Sequence, residues 1–360
     1  MADPASAREI SYPFSAAPSP GAWVEVAEGV YWLRMPLPFR LDHINLYLLR
    51  DGDGWTIVDT GIRGRKTRDL WDQVFAGLFG NAPVKRVIAT HMHPDHVGQA
   101  GWLTRRCGVA LWMSRTEFFM CKMLAVDGPT DIPEDAIRFY QQAGYDAQQL
   151  AMYQQRFGRF GAMIEPLPAG YRRLEDGERV AIGADEWQVV VGRGHSPEHA
   201  CLYCESRGLL LSGDQVLPRI SSNVSVFPTE PAANPLREWL ESCQSLRQRL
   251  PSDPLVLPSH NEPFYGLHAR LAELIEGHVQ GLTRLYQLCD GPKRVVDVFP
   301  ALFKSQISEE NLLFATGESR AHLNYLVAHG ALAEDIGPDG VSRFSQAGPF
   351  DPARLDELAV

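Results

Sequence analysis

The chain has 360 residues, 45% hydrophobic and 22% charged, enough for one large domain with its own core plus a smaller one. Its formal net charge of −10 disfavours passive attraction to nucleic acid or anionic membranes. No apolar run reaches the roughly 18 residues of a membrane span, residues 1–23 hold no apolar leader core, and six sparse cysteines suggest no disulfide framework, so a cytoplasmic protein without membrane contact is expected.

Residues 1–22 read as a loose arm. From Val24 the chain alternates and breaks as strands do: VEVAEGVYWLRM, INLYLLR and WTIVDTG. Asp51-Gly52-Asp53-Gly54 between the last two predicts a hairpin. Leu70, Val74 and Leu78 predict a helix after Gly61. VKRVIAT is a strand running into His91; a helix over 97–106 is stopped by Gly108, and GVALWMS is the next strand. This alternation argues for a layered α/β domain. Residues 116–165, rich in Met, Phe, Tyr and Gln, predict two or three helices inserted as a cap.

Strands return at GERVAIG, EWQVVVGRG, ACLYCES and GLLLSGD. Cys201 and Cys204 form a lone CxxC within such a strand, where i and i+3 face opposite ways, so they read as structural. A helix over 235–249 and the buried run PLVLPSH follow. From His268 the character changes. A long helix to Leu288, a helix capped by Ser308, a helix from Gly317 to His329 and a hairpin turning at Pro338-Asp339-Gly340 make a winged-helix-like module over 267–350, with 351–360 as a tail.

The strongest chemical signal is Thr90-His91-Met92-His93-Pro94-Asp95-His96. A strand end is a rigid platform, and the loop beyond it can curl its side chains around one point. His91 and His93 can aim at one metal, while Asp95 and His96, opening the next helix, can face a second. Imidazole and carboxylate suit zinc, and also iron or manganese. His195, Asp214 and His260 each terminate a further apolar strand, so all can meet at one edge of the sheets.

These residues carry a resemblance. Asp59 of Val58-Asp59-Thr60-Gly61, the HMHPDH run, Gly194-His195-Ser196, Ser212-Gly213-Asp214 and Ser259-His260 resemble the five ordered motifs of the metallo-β-lactamase superfamily. The resemblance implies an α+β chain built on an αββα sandwich, with the helical insert and the small C-terminal domain added to it. It also implies that His91, His93 and His195 hold one metal, that Asp95, His96 and His260 hold the other, and that Asp214 bridges them. Gln99 stands where glycine is frequent, and Asn261 follows the last histidine where glycine is frequent. GPKRVVDVFPALF and GESRAHLNYLVAHGAL resemble the winged-helix domain of the lactamase-beta-2-like group, some members of which are endoribonucleases.

Two adjacent dications would lower the pKa of a bridging water so that hydroxide attacks a carbonyl or phosphoryl centre. Besides the ligand Asp95, two residues are expected to serve catalysis: Asp59 by holding the outer N–H of a ligating histidine, and His199 by contacting substrate or an oxyanion. The insert offers Phe118, Phe119, Met120, Met123, Phe139, Tyr140, Tyr145, Met152, Tyr153, Phe157 and Phe160 as an acyl lining. Arg156, Arg159, Arg172 and Arg173 are candidates for a phosphate, as in a coenzyme A tail.

A small-molecule ester, thioester or lactone hydrolase is one reading; a single-strand endoribonuclease or phosphodiesterase is the alternative. Residues 268–350 carry a net charge of −3, and the recognition helix 317–329 holds only Arg320 as a fixed cation. That disfavours RNA and argues against DNA. The module then reads as an interaction piece, dimerising the chain or supporting the pocket wall.

Overall fold

The computed structural model describes residues 9–128 and 132–352. The first eight residues of the expected arm, residues 129–131 of the insert and residues 353–360 of the expected tail lie outside the described residues.

The first sheet runs in chain order: β1 (Trp23–Ala27), β2 (Val30–Pro36), β3 (His43–Asp51), β4 (Gly54–Val58), β5 (Val84–Ile88), β6 (Leu111–Met113) and β7 (Arg172–Arg173). The early strands are antiparallel meanders, and β3 turns into β4 at the expected hairpin, Asp51 pairing with Gly54. From β4 to β7 the pairs are parallel because helices intervene. The second sheet comprises β8 (Arg179–Ile182), β9 (Asp185–Gly192), β10 (His199–Cys204), β11 (Leu209–Gly213) and β12 (Leu255–Pro258), with β11 and β12 parallel across the helix Pro235–Arg249.

Strand alternation sorts the side chains into three cores. Tyr47 and Leu49 point between the sheets to meet Leu202 and Leu209. Their neighbours Leu46 and Leu48 point outward under the helices Arg65–Val74 and Ala100–Cys107. On the outer face of the second sheet, Cys201, Tyr203 and Leu210 meet Trp239 and Leu246 of the helix Pro235–Arg249. The result is the αββα sandwich. Cys201 and Cys204 fall in different cores, as their strand spacing requires.

Four details differ from expectation. The arm is anchored where it is described: Ser11 bridges Tyr265, and Phe14 packs edge-on against Trp32. The helix expected over 97–106 is two, Pro94–Val97 and Ala100–Cys107, because Gln99 leaves helical geometry and its N–H donates to the Gly61 carbonyl at 3.0 Å; at this junction backbone also closes in on Gly98. A Cβ there would lie 2.3 Å from the Pro94 carbonyl oxygen. The Ser308 and Gly317 helices merge into one, Leu312–Ala328, preceded by a short helical turn at Val295–Leu302. Ser308 lies just outside it, and Asn311 is the N-cap. The long helix Leu267–Leu288 and the hairpin β13 (Leu332–Ile336) to β14 (Ser342–Gln346) complete the module.

The fourth detail concerns the insert, which forms the helices Arg115–Val126, Glu134–Gln142, Ala147–Arg156 and Phe160–Met163. Its aromatic residues are mostly core. Phe118 packs under the first sheet. Phe139, Tyr140, Tyr145 and Tyr153 join the cluster that includes Leu282 and Leu326 of the C-terminal module. The Tyr145 hydroxyl lies 2.8 Å from Thr316 Oγ1, and Arg156 donates to the Glu309 carbonyl. The insert therefore welds the module to the sandwich instead of forming a separate apolar lining. Phe119 and Met123 remain exposed. Among the described residues, no helix is long and apolar enough to cross a membrane.

Candidate metal centre

All seven expected ligands gather where strands of both sheets end. Ala89 and Thr90 carry β5 into His91; His93 caps the helix Pro94–Val97, and Asp95 and His96 lie in its single turn. His195 follows β9 through Gly194, Asp214 follows β11 directly, and His260 follows β12 by two residues. Gly213 is held at φ 53, and a Cβ there would lie 2.3 Å from His199 Nε2. Only glycine lets the chain turn Asp214 into the centre at that point.

Three sets of donors converge, each with its atoms within 4.8 Å: His91, His93 and His195; His91, His96 and Asp214; and Asp95, His96 and His260. Asp214 faces both ways. Its Oδ2 is 3.5 Å from His195 Nε2, while its Oδ1 is 3.4 Å from His96 Nε2 and 3.5 Å from His260 Nε2. Its two oxygens thus face the two groups of histidines.

The outer partners decide which ring nitrogens face inward. Nδ1 of His96 donates to Asp59 Oδ2 at 2.8 Å, Nδ1 of His195 to the Asn223 carbonyl at 2.7 Å, and Nδ1 of His260 to the His43 carbonyl at 2.8 Å. Asp59 also accepts from the Thr90 N–H and hydroxyl, and the Thr90 hydroxyl oxygen lies 3.1 Å from His91 Nδ1. Each of these three rings thus turns its Nε2 toward the centre, the atom left to meet a metal. His91 Nε2 lies 2.8 Å from His93 Nδ1 and 3.3 Å from His195 Nε2. His96 Nε2 and Asp214 Oδ1 are buried without a hydrogen-bond partner. Inward-facing ring nitrogens and carboxylate oxygens gathered at this range make a donor set that fits divalent metal.

Electrostatics says the same. Burial and the surrounding imidazoles keep His91 neutral, and burial with His195 beside it pushes His93 down to about 3. Burial also opposes charge on His260, yet the Asp214 and Asp95 carboxylates carry it up to about 10. His96 is raised by the same neighbours against its burial. In the absence of metal, protons take the place of positive charge between the carboxylates.

The structure corrects some expectations. His199 does not face substrate: it is fully buried, and its Nε2 accepts the Asp214 N–H at 3.0 Å. It braces the backbone that delivers Asp214. Arg172 is paired with Glu178, and Arg173 with Glu175, so neither offers a free cation. Gln99 fills its site by bonding to the Ile62 and Gly64 carbonyls. Asn261 adopts φ 66, a conformation asparagine tolerates better than most residues, and its N–H donates to His43 Nε2.

Several functional residues were not singled out from the sequence. Glu117, fully buried on the first helix of the insert, accepts from the N–H groups of Met92 and Glu198, tying two ligand loops together. Burial raises its carboxyl above the usual range, against those donors. His43, Asn45 and Tyr47 of β3 secure the segment around His260, the last two through the Pro258 carbonyl. Ser222 donates to the Asp214 carbonyl, and Asn223 holds His195. None lies in a short motif, and only their contacts identify them.

Fold and site together define a class, the αββα enzymes whose clustered histidines and aspartates bind divalent metal. Residues 40–260 match the family described as the metallo-beta-lactamase superfamily, and residues 282–347 match the metallo-beta-lactamase-like C-terminal domain. The chain belongs to the metallo-beta-lactamase superfamily and is one of its hydrolases. It is similar to a beta-lactamase domain protein from Burkholderia ambifaria, 42% identical with a TM-score of 0.87, covering 94% of this chain and 98% of that one. A probable metallo-hydrolase of Bacillus subtilis is 24% identical, covering 85% of this chain and 94% of the relative. An atrochrysone carboxyl ACP thioesterase of a Cryptosporiopsis species is 22% identical, covering 90% of this chain and 77% of the relative.

Proposed function

We propose that the chain is a dinuclear metal-dependent hydrolase of a small thioester or ester with an apolar acyl group. The observation that carries this is the two-faced Asp214, one oxygen toward His195 and the other toward His96 and His260. Two divalent ions, zinc foremost and iron or manganese within the same donor chemistry, are the proposed cofactors. When bound, they supply Lewis acidity and a water of lowered pKa.

The protein's own part is orientation. Asp59, the Asn223 carbonyl and the His43 carbonyl hold the outer imidazole protons, so the ring lone pairs stay directed inward. Asp95 has the most exposed ligand carboxylate, with 18% of its side chain accessible against 10% for Asp214. It is the one placed to meet an entering polar group.

The thioesterase relative supports the substrate class. So do the exposed Ile220 and Phe227, which flank the Ser221–Val226 segment that holds His195, and the exposed Phe314, whose carbonyl accepts from Ser225 of that segment. These replace the insert aromatics as the proposed acyl contact. The alternative nuclease reading is weakened at Arg320, whose guanidinium is engaged bidentately by Glu334. A catalytic unit over 23–266 and a supporting module over 267–350 belong to the same proposal.

Thiol release from aliphatic and aromatic acyl-CoA esters, with metal-loaded and chelated enzyme, tests it. Metal-dependent release establishes the thioesterase activity. No release, with cleavage of single-stranded RNA instead, overturns the acyl reading.

A further inference from the structure

The loop after Asp214 touches the metal centre twice. Ser222 donates to the Asp214 carbonyl, and the Asn223 carbonyl accepts the Nδ1–H of His195. Residues 218–234 contain no helix or strand, so no backbone ladder holds this loop in place. Its support comes from the C-terminal module. The Val226 N–H donates to the Gly317 carbonyl at 3.0 Å. Gly317 lies so close to Ser225 that a Cβ would come within 2.7 Å of the serine side chain. One helical position on, the Glu318 carboxylate accepts from Asn223 Nδ2 at 2.9 Å, and the Ser225 hydroxyl donates to Asn223 Oδ1. Both ends of the Asn223 side chain are thereby engaged, which orients the residue whose carbonyl holds His195.

We infer that Glu318 is a positioning residue for the metal centre: by gripping the Asn223 side amide, the appended module sets the carbonyl that aims His195 at the ion shared with His91 and His93. This rests on the metal-site reading above and extends it to a residue 123 positions beyond His195. Burial raises the Glu318 carboxyl to about 7 even though the Asn223 amide pulls it down. A carboxylate kept at such a position at the expense of its own ionisation is consistent with a specific demand on its acceptor oxygen. The neighbouring polar contacts, Ser221 Oγ with His278 Nε2 at 3.4 Å and His278 Nδ1 with His322 Nε2 at 3.2 Å, extend the same junction.

The test uses the full chain, Zn²⁺ as probe, chelator competition for affinity, and thermal melting of the metal-free form. Glu318→Leu removes the acceptor, and Asn223→Asp sets two carboxylates against each other. Each should weaken the more labile zinc by roughly tenfold or more, the scale of a lost outer partner. Wherever turnover is measurable, kcat should fall with KM little changed. The double variant Asn223→Asp with Glu318→Gln reverses donor and acceptor, and it should restore zinc affinity to within about threefold of the parent. Parental affinity in a folded Glu318→Leu overturns the inference. So does a loss in both single variants that tracks metal-free melting and is not rescued by the swap, since that marks Glu318 as merely structural. A parent chain that binds no zinc at all would instead sink the metal-site reading on its own terms.

Discussion

The two sides of the metal centre are held by different kinds of structure. His96 and His260 donate to Asp59 and to the His43 carbonyl, groups at the ends of β4 and β3 whose backbones are locked in the first sheet. His195 donates to a carbonyl in a loop that leans on a helix nearly a hundred residues further along the chain. Ligands held by strand ends come preset with the sandwich; a ligand held by a loop needs an outside support. The difference gives the C-terminal module a structural reason to be attached.

Removing a ligand is the harshest way to probe this contrast. His93→Ala should abolish turnover and release metal while the far-UV circular dichroism stays that of the folded chain. Full activity would break the ligand assignment on the His195 side, where His93 and His91 share its donor set. On the sheet-held side, Asp59→Ala should weaken metal binding by roughly 10–100-fold, read by chelator competition. Unchanged occupancy would remove Asp59 from its role, and with it the idea that strand ends aim the rings.

The module side can be loosened without breaking a side-chain hydrogen bond, since the Trp239 indole N–H is buried without a partner among the described residues. Trp239, fully buried between the second sheet and the module, should cost about 3–5 kcal/mol on truncation to Ala, measured by denaturant unfolding. A loss below about 1 kcal/mol would mean that the module is not integral to that core.

The smallest effect expected is on pH dependence. The Glu318 carboxyl is raised from 4.5 to about 7, so the folded chain holds its proton more tightly than the unfolded one. Its contribution to stability is present below about 4.5 and lost as pH rises through about 7. Glu318→Gln cannot ionise, so it should flatten the melting profile of the metal-free protein across that window and melt higher than the parent at pH 8. Identical profiles would show that the carboxyl is not raised.

Much of the site was legible because its ligands sit at ends of apolar strands, where sequence shows both the strand and the residue that stops it. His91, His195, Asp214 and His260 all follow such runs, and HMHPDH packs four donors into six residues. Asp59 was legible for the same reason. His199 was misread because its spacing from His195 says nothing about whether the ring faces solvent or the Asp214 backbone. The insert was misread because a run of aromatics looks alike whether it lines a pocket or fills a junction.

Composition, strand periodicity and the ordered motifs therefore determined the layered fold, the cluster of candidate ligands and the family. These are properties of short segments, where each residue's neighbours in sequence set its environment. Tertiary structure alone decided the rest. Glu117 clasps two loops, His43 holds His260 across 217 positions, and Glu318 meets Asn223 across 95. Such pairs form only when distant segments are packed together, and a lone Glu, His or Asn carries no mark of the partner that packing will bring to it.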